Sequence, residues 1–344
     1  ERYLDQTATI LLEDSDEYVT MGSIGWTGPA STLDSDHMFF TVDAWLMQNL
    51  HLPHPEDSIL TGDLEVLDWF TEPAHVSVKI DGCPAIVWGT DPATGTFFVG
   101  TKAVFNKVKL RIAHNHEEID QHYEGEVADI LHACFDCLPH TDLILQGDFI
   151  GFGGDDRYHP QAVTYIFPEV VTQSIIIAPH TLYEANDDLR DSWAMPLLPQ
   201  LESTKEVMFV QPDAWEDDAS YDTNVKFAKQ MATMVEFADA KKARRIEKVV
   251  NTFIKIGAVL DPEALAIAAD CDINLIRLWQ LVKMIKEDRL ARCATMGGPL
   301  AYIGKKFIAA EGYVLSNEYG SYKLVKREVF SRYNFNSGRF ACAS

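Results

Sequence analysis

A block of helical sequence enclosed between two β-rich stretches is the feature that most constrains this chain's fold. From residues 75 to 178, short runs of β-branched and aromatic residues alternate with turn residues, which predicts strands. From about 205 to 297, apolar residues instead recur at helical spacing, and strand patterns resume after Pro299. Because the strands on both sides need partners in a sheet, this order predicts an α+β fold: an antiparallel-sheet core with an inserted helical subdomain.

These patterns divide the chain of 344 residues into four parts. An acidic N-terminal segment with short helices covers residues 1–70, and the first part of the core covers 71–204. The helical subdomain covers 205–297, and residues 298–344 carry the last strands of the core. A hydrophobic share of 47% is high enough to form a core of this size.

Local patterns give more specific expectations. Outside the sheet they predict a strand at 8–12 and helices at 39–50, 63–70 and 117–137. The β-runs at 76–80 and 85–89 flank Asp81-Gly82, which is a turn signal, so they predict a hairpin with Lys79 near its tip.

The net charge of −23 is distributed unevenly along the chain. Residues 1–220 carry a net charge of −30, whereas residues 221–344 carry +7. Such acidity argues against a general nucleic-acid binder, but a confined basic surface remains possible on the helical subdomain. Its lysines and arginines are interpreted either as solvated helix faces or as contacts to a phosphate backbone.

No run of 18 apolar residues and no secretory leader pattern occur in the sequence. A membrane span is therefore not expected, and the default prediction is a cytoplasmic protein.

Six cysteines, at positions 83, 134, 137, 271, 293 and 342, are too sparse for a disulfide scaffold. Cys134-x-x-Cys137 lies between His132 and His140, so a zinc site is conceivable. A structural zinc site usually has a second well-spaced pair, and none follows. The favoured interpretation is that Cys134 and Cys137 are reduced, partly buried thiols in a helix.

The motif with most chemical content is Lys79-Ile80-Asp81-Gly82, at the end of a β-run. A lysine at this position suggests a nucleophile. Alone the motif is weak, because on ordinary composition it arises by chance in roughly one chain in ten of this length. Its structural alternative is a lysine that extends from a strand end into solvent.

This motif and five further short pieces occur in a fixed order. The pieces are Lys79-Ile80-Asp81-Gly82, Gly100-Thr101-Lys102, Gln146-Gly147-Asp148-Phe149, Ser174-Ile175-Ile176-Ile177-Ala178, Glu311-Gly312-Tyr313-Val314-Leu315 and Tyr322-Lys323-Leu324-Val325-Lys326. In this order the chain resembles the covalent nucleotidyltransferase superfamily of ATP-dependent ligases and capping enzymes. It is most similar to phage-type RNA ligases, over about residues 75–183 and 299–330.

The resemblance implies a nucleotidyltransferase (ATP-grasp-like) core that uses ATP with Mg²⁺ or Mn²⁺. It implies that Lys79 takes AMP from ATP and that the nucleotide passes to a 5′-phosphate end, which is then sealed to a 3′-hydroxyl. The implied nucleotide-binding residues are Asp81, Gly82, Lys102, Asp148, Ile177, Glu311, Lys323 and Lys326. Asp148 and Glu311 are the implied metal ligands, RNA ends are favoured over DNA ends as partners, and a phage-encoded protein in the host cytoplasm is one hypothesis.

The chain departs from the family pattern at three places. Pro84 occupies a position where DNA ligases usually carry arginine, and Asp148 stands where the motif usually ends in glutamate. Lys323 and Lys326 are three residues apart, so on a strand they point to opposite faces and only one reaches a phosphate.

Alternative functions therefore stay open at this point. They are a DNA ligase, a capping-type guanylyltransferase, an enzyme that modifies a protein or small molecule, and a non-catalytic phage protein.

Overall fold

The computed structural model describes residues 47–48 and 52–330. In chain order, its strands are β1 (Met47–Gln48), β2 (His75–Lys79), β3 (Ala85–Thr90), β4 (Phe97–Gly100), β5 (Ile144–Phe152), β6 (Arg157–Tyr158), β7 (Thr164–Ile166), β8 (Ile175–Glu184), β9 (Trp193–Pro196), β10 (Val207–Phe209), β11 (Asp213–Glu216), β12 (Cys293–Met296), β13 (Leu300–Ile303), β14 (Lys306–Ile308), β15 (Gly312–Asn317) and β16 (Gly320–Val325). The α-helices are α1 (Pro55–Ser58), α2 (Glu65–Trp69), α3 (His116–His122), α4 (Gly125–Cys137), α5 (Asp222–Ala232), α6 (Ala240–Ile256), α7 (Pro262–Ala269) and α8 (Ile273–Arg292). Helices combined with mainly antiparallel sheets confirm the predicted α+β class.

A seven-stranded sheet lies at the centre, in the order β1-β9-β8-β5-β3-β4, and β10 also pairs with β8. The pair β8–β10 is parallel, whereas the other pairs of this sheet are antiparallel. Helix α4 covers one face, where Ile130 and Leu131 pack against Ile86 and Phe149. Because both faces are covered by apolar side chains, the strands read as nearly continuous hydrophobic runs.

A second sheet has three strands, in the order β16-β15-β2. Strand β2 pairs with β15, whereas β3 pairs with β4 and β5 of the central sheet. The predicted hairpin of residues 76–80 and 85–89 is therefore wrong, and the segment between these strands crosses from one sheet to the other. Alternation in sequence identifies an extended segment but does not identify its partner.

The helical region packs against the second sheet instead of standing apart. One hydrophobic core contains Trp69 of α2, Ile246 of α6, Trp279 of α8 and Leu315 of β15. Strand β10, just after the predicted start of the helical subdomain at about residue 205, pairs with β8 of the central sheet. The helices begin at α5 and end with α8, between the paired strands β11 and β12.

Helix boundaries follow local capping signals. Asp261 accepts a hydrogen bond from the Ala264 amide at the start of α7, and Pro262 occupies the first turn. The single helix predicted at 117–137 is instead α3 and α4, separated near Gly125, whose φ of 60° is in the left-handed region.

Lys286 of α8 joins the helical region to the rest of the fold. Its ammonium lies 2.8 Å from a carboxylate oxygen of Glu56 and 3.2 Å from the Val325 carbonyl oxygen. Both charged side chains are fully buried. Since a buried charge without a partner is costly, this ion pair specifies how α1, α8 and β16 pack together.

Two elements predicted from the sequence lie near the N-terminus. The strand predicted at 8–12 lies outside the described residues, as does most of the helix predicted at 39–50. The two residues of that helix that are described, Met47 and Gln48, form β1 instead. The helix predicted at 63–70 is present as α2.

Among the described helices, none combines the length and the hydropathy needed to cross a membrane.

Candidate active site

Lys79 is the last residue of β2 and lies beside Gly312 of β15. Because side chains alternate along a strand, Val76 faces the core shared with the helices, and Ser77 and Lys79 face the other way. A Cβ atom at position 312 would lie 2.2 Å from the Leu324 carbonyl oxygen. Glycine at this position therefore permits the close approach of β15 to β16 that places Glu311 beside Lys79.

The Lys79 ammonium donates a hydrogen bond to Oε2 of Glu311, and the two side chains form an ion pair. Burial acts to lower the pKa of Lys79, but the carboxylates of Glu311, Asp81 and Asp148 outweigh it and raise that pKa. Burial raises the pKa of Glu311 as well, although the Lys79 ammonium opposes the rise. Lys79 is therefore held as a charged ammonium.

Gly82 brings the lysine motif against the central sheet. A Cβ atom at this position would lie 2.8 Å from both Asp148 Cβ and the Phe149 carbonyl oxygen. The Cys83 amide also donates to that carbonyl oxygen at 2.8 Å. Lack of a side chain at Gly82 is therefore the physical reason that Asp148 of β5 can lie close to the motif.

Asp81 is buried and holds backbone groups. Its Oδ2 accepts hydrogen bonds from the amides of Ala162 at 3.0 Å and Val163 at 3.4 Å. Its own amide donates to the Tyr165 hydroxyl at 2.6 Å. Burial is the largest influence on the carboxyl group and raises its pKa. In this structure Asp81 fixes the turn after β2 against β7, which makes it a positioning residue for Lys79.

Two further lysines approach the same cluster. Burial lowers the pKa of Lys102, which follows β4, and the Asp148 carboxylate opposes this. Burial also lowers the pKa of Lys323 on β16, and the Lys79 ammonium lowers it further. Lys323 is on the same face of the second sheet as Ser77, since both pair with Val314.

Lys326 and Ile177 are not brought into this cluster. Lys326 is exposed and lies just beyond the end of β16. Ile177 of β8 is fully buried with Phe149 in the core beneath α4. Its strand neighbour Ala178 pairs with Asp148, so a difference of one residue places Ile177 on the opposite face of the sheet.

His180 is a site residue that the sequence prediction missed. Its Nε2 lies 3.7 Å from an Asp148 carboxylate oxygen and 3.4 Å from Nε2 of Gln146. Gln146 pairs with Thr181 and Gly147 pairs with Pro179, so His180 is the extra residue of a β-bulge. Bulges often redirect a side chain towards a site, and a proline inside a strand pattern is the signal that could have indicated this one.

The carboxylates of Asp148 and Glu311 interact electrostatically and are the candidates to hold Mg²⁺. Among the described residues, no group of three or more histidine, cysteine or acidic side chains is arranged to hold a metal. Mg²⁺ commonly uses only one or two carboxylates when substrate phosphates and water complete its coordination. The donor set of this pair therefore fits Mg²⁺ bound together with a nucleotide.

A separate cavity of about 450 Å³ is lined in part by Asp91 and Ala93 of the β3–β4 turn. His114 lies in its wall, with Nε2 2.8 Å from Asp91 and Nδ1 2.9 Å from Glu118. None of the site residues predicted from the sequence lines this cavity, so it is not part of the candidate active site.

Comparison with known proteins gives one match. The family of unknown function DUF6267 matches residues 49–269 and 263–339. The chain belongs to the DUF6267 family. Neither a curated protein nor a solved structure is significantly similar to it.

The DUF6267 match spans the whole candidate site. Its first segment contains Lys79, Lys102 and Asp148, and its second contains Glu311 and Lys323. The helical region lies within the match as well, and α6 exposes Lys241, Arg244, Arg245 and Lys248 on its solvent side. The family description itself assigns no activity, so the function is argued from the site.

Proposed function

We propose that this DUF6267 protein is an ATP-dependent polynucleotide ligase that acts on RNA through a lysyl-AMP intermediate. The observation that carries the proposal is the cluster around Lys79. Glu311 from one sheet pairs with this lysine, and Asp148 from the facing sheet acts on it electrostatically. Two carboxylates lie beside the proposed nucleophile, and two partly buried lysines are nearby. Phosphoryl transfer requires groups of these kinds.

In the first step, the Lys79 Nζ lone pair forms a bond to the α-phosphorus of ATP. The bond from that phosphorus to the bridging oxygen breaks, and pyrophosphate leaves with the electron pair. Before attack, Lys79 must lose a proton, and the Glu311 carboxylate that accepts its hydrogen bond is in place to take it. Burial favours this transfer, because it destabilises the charged forms of both groups.

The remaining groups act on the phosphates. Lys102 and Lys323 are partly buried cations that offset negative charge as it develops on the leaving group. Mg²⁺ held by Asp148 and Glu311 would neutralise phosphate charge and orient the nucleotide.

The acceptor is proposed to be the 5′-phosphate end of RNA, which receives AMP and is then joined to a 3′-hydroxyl. Exposed cations on α6 offer contacts to the phosphate backbone, and this surface contrasts with the net charge of −23 of the chain. An RNA strand bound there would lie on the helical region that packs against the second sheet.

The test is covalent labelling with radioactive ATP and Mg²⁺. The wild-type protein is expected to acquire one AMP, detected as retained label and as a mass shift, and Lys79→Ala is expected to acquire none. Lys205→Ala, at an exposed lysine far along the chain, is the matched control and is expected to label normally. A wild-type protein that takes no label from ATP would contradict the proposal, and labelling from GTP alone would indicate a capping-type enzyme.

A second experiment addresses the acceptor. Nicked and single-stranded RNA are compared with the same DNA substrates after labelling. Sealing of RNA ends is the expected result, whereas normal lysyl-AMP formation without transfer to any polynucleotide would contradict the ligase part of the proposal.

A further inference from the structure

Two histidines and two aspartates form a symmetric group on α3 and α4, outside the candidate active site. Each helix carries the pattern His-x-x-x-Asp, as His116 with Asp120 and His132 with Asp136. The histidines pair crosswise: His116 Nε2 lies 3.1 Å from Asp136, and His132 Nε2 lies 2.9 Å from Asp120. The two Nδ1 atoms face each other at 2.7 Å.

This arrangement places two hydrogen-bond acceptors against each other. A ring whose Nε2 faces a carboxylate donates its N–H to that carboxylate, which leaves a lone pair on Nδ1. When both rings are in this tautomer, their Nδ1 lone pairs face each other 2.7 Å apart, and a cation between them removes the repulsion. A proton between the two Nδ1 atoms makes one of the rings a charged imidazolium, whereas a divalent metal ion can bind both rings in their neutral form.

We propose that His116 and His132 bind one divalent transition-metal ion, such as Zn²⁺, through their Nδ1 atoms. Asp136 and Asp120 hold the two rings in the orientation that a histidine-ligated metal requires. The described residues provide no group of three or more ligands, so water completes the coordination.

Binding an ion between the rings requires both to move. The ring centroids are 5.0 Å apart with the planes 24° apart, so the two Nδ1 atoms face each other head-on. Ligand nitrogens about 2.0–2.1 Å from a tetrahedral ion are about 3.3 Å apart, so the rings must separate by about 0.6 Å and also turn. The His116 side chain is 48% exposed at the first turn of α3, which leaves it free to move and open to solvent. His132 is less exposed, at 28%, and is the more rigid of the two ligands.

This site differs from the zinc site conceivable from the cysteine spacing. Cys134 is fully buried among apolar residues of the core beneath the central sheet, whereas the two histidine side chains are partly exposed. His140 is also excluded from a common site with the cysteines, since its ring stacks on Phe97 at 4.1 Å. Two nitrogen ligands without sulfur are therefore expected.

The proposal is tested by titrating Zn²⁺ and Co²⁺ into the full-length, chelator-treated protein at pH 7.5. Calorimetry is expected to show one ion per chain, and His116→Ala and His132→Ala are expected to weaken binding by at least about tenfold. Asp120→Asn is expected to weaken it less, by loss of ring orientation. His122→Ala, which changes the last residue of α3 outside the group, is the control and should bind normally.

The outcomes separate the proposal from its competitors. Bound Co²⁺ is expected to lack the charge-transfer absorption of a thiolate ligand, and the presence of that absorption would overturn the assignment. Zn²⁺ binding that is unchanged in both histidine variants would also overturn it, as would a wild-type protein that binds no ion. Far-ultraviolet circular dichroism of each variant establishes that it is folded. The result does not depend on nucleotide transfer.

Discussion

At the scale of single residues, the candidate site is a balance of charges around one lysine. Burial and the three carboxylates of Glu311, Asp81 and Asp148 act on Lys79 in opposite directions. The carboxylates prevail, so the pKa of Lys79 is raised and its side chain is held as an ammonium, the form that cannot act as the proposed nucleophile. This arrangement would limit adventitious reactions of Lys79 until a substrate competes for Glu311.

The first prediction follows from this balance. In Glu311→Gln the carboxylate that raises the pKa of Lys79 is lost, so burial has more influence and that pKa falls. At a given pH a larger fraction of Lys79 is then neutral. Lys79 is acetylated with a limiting amount of an amine-reactive reagent from pH 6 to 10, and the extent of acetylation is measured by mass spectrometry. In Glu311→Gln, acetylation of Lys79 is expected to reach half its maximum at a lower pH than in wild type.

The control for this variant is Glu318→Gln, at the exposed turn between β15 and β16. It should leave the Lys79 profile unchanged. A Glu311→Gln profile that shifts to higher pH would show that the ion pair does not set the protonation of Lys79.

The second prediction concerns Gly82. In Gly82→Ala the new methyl group would meet Asp148 Cβ and the Phe149 carbonyl oxygen, both at 2.8 Å. The motif must then move away from β5, at a cost of about 1–3 kcal/mol in the free energy of unfolding. Lysyl-AMP formation is expected to fall at least about tenfold, because misplacement by about 1 Å can cost a hundredfold.

Gly95→Ala provides the comparison. Gly95 lies in the β3–β4 turn with a φ of +69°, and a Cβ atom there meets no other atom within 4 Å. The Gly95→Ala variant is expected to lose about 1 kcal/mol in the free energy of unfolding through backbone strain alone. Its labelling with AMP should remain normal. Equal labelling by Gly82→Ala and wild type would show that close packing of Gly82 on Asp148 is not needed.

At the scale of elements, two sheets and a set of helices meet around buried charges. The pair of Lys286 and Glu56 connects α8 with α1, and Lys286 also reaches the backbone of β16. Arg327 supports the same carboxylate at 3.3 Å. These groups lie between the helical region and the second sheet. The loss of stability when one of them is replaced therefore measures how much they contribute to packing of the two.

The third prediction tests that junction. Lys286→Met leaves Glu56 buried with a weaker set of partners and is expected to cost about 3–5 kcal/mol in the free energy of unfolding. Lys283→Met, one turn earlier on α8, is the matched control, because its partners Glu287 and Glu328 are considerably more exposed. It is expected to cost about 1 kcal/mol or less. Both values come from urea denaturation, and similar losses would refute a special role for the buried pair.

Local structure is where the sequence was most informative. The β-runs at 76–80 and 85–89 located β2 and β3 closely. Cys134 and Cys137 are free thiols within α4, as predicted. Cys83, in contrast, is disulfide-bonded.

Pairing and orientation were less predictable, for a physical reason. Strand patterns record burial, and burial does not identify a partner strand, so β2 was assigned to a hairpin with β3 although it pairs with β15. The bulge at His180 depends on both strands at once, and no single run in the sequence encodes it. The run that contains Ile177 forms part of β8, but the packing of β8 against α4, which buries this residue, depends on residues far away in the sequence.

At the scale of the whole molecule, charge is the main organising property. The first part of the sequence is acidic and the last part is basic, and the exposed cations of α6 belong to a chain with a net charge of −23. Anionic RNA would be repelled by most of the surface and attracted only locally. The protein field would therefore restrict where an RNA strand can lie.

The fourth prediction uses salt dependence to locate that strand. Replacing Lys241, Arg245 and Lys248 by glutamate is expected to weaken RNA binding and to reduce the slope of log K against log salt by about 2, as expected for three single-strand phosphate contacts. Labelling of Lys79 should not change, because α6 supplies no group to the Lys79 cluster. The same change at Lys205, Lys305 and Lys306, all exposed, is the control. Equal loss in both triple variants would mean that binding depends on total charge and that α6 is not the contact surface.

The pairing of β2 with β15 also has a consequence for synthesis of the protein. Lys79 and its partner Glu311 are separated by 232 residues. At about 5–20 residues per second, a ribosome needs about 10–45 s to add that length of chain. During this interval β2 has no partner on its β15 side, and an unpaired strand edge promotes association between chains. In a nascent chain, Lys79 is therefore synthesised well before Glu311, and the charge pair between them can form only after a further 232 residues have been added.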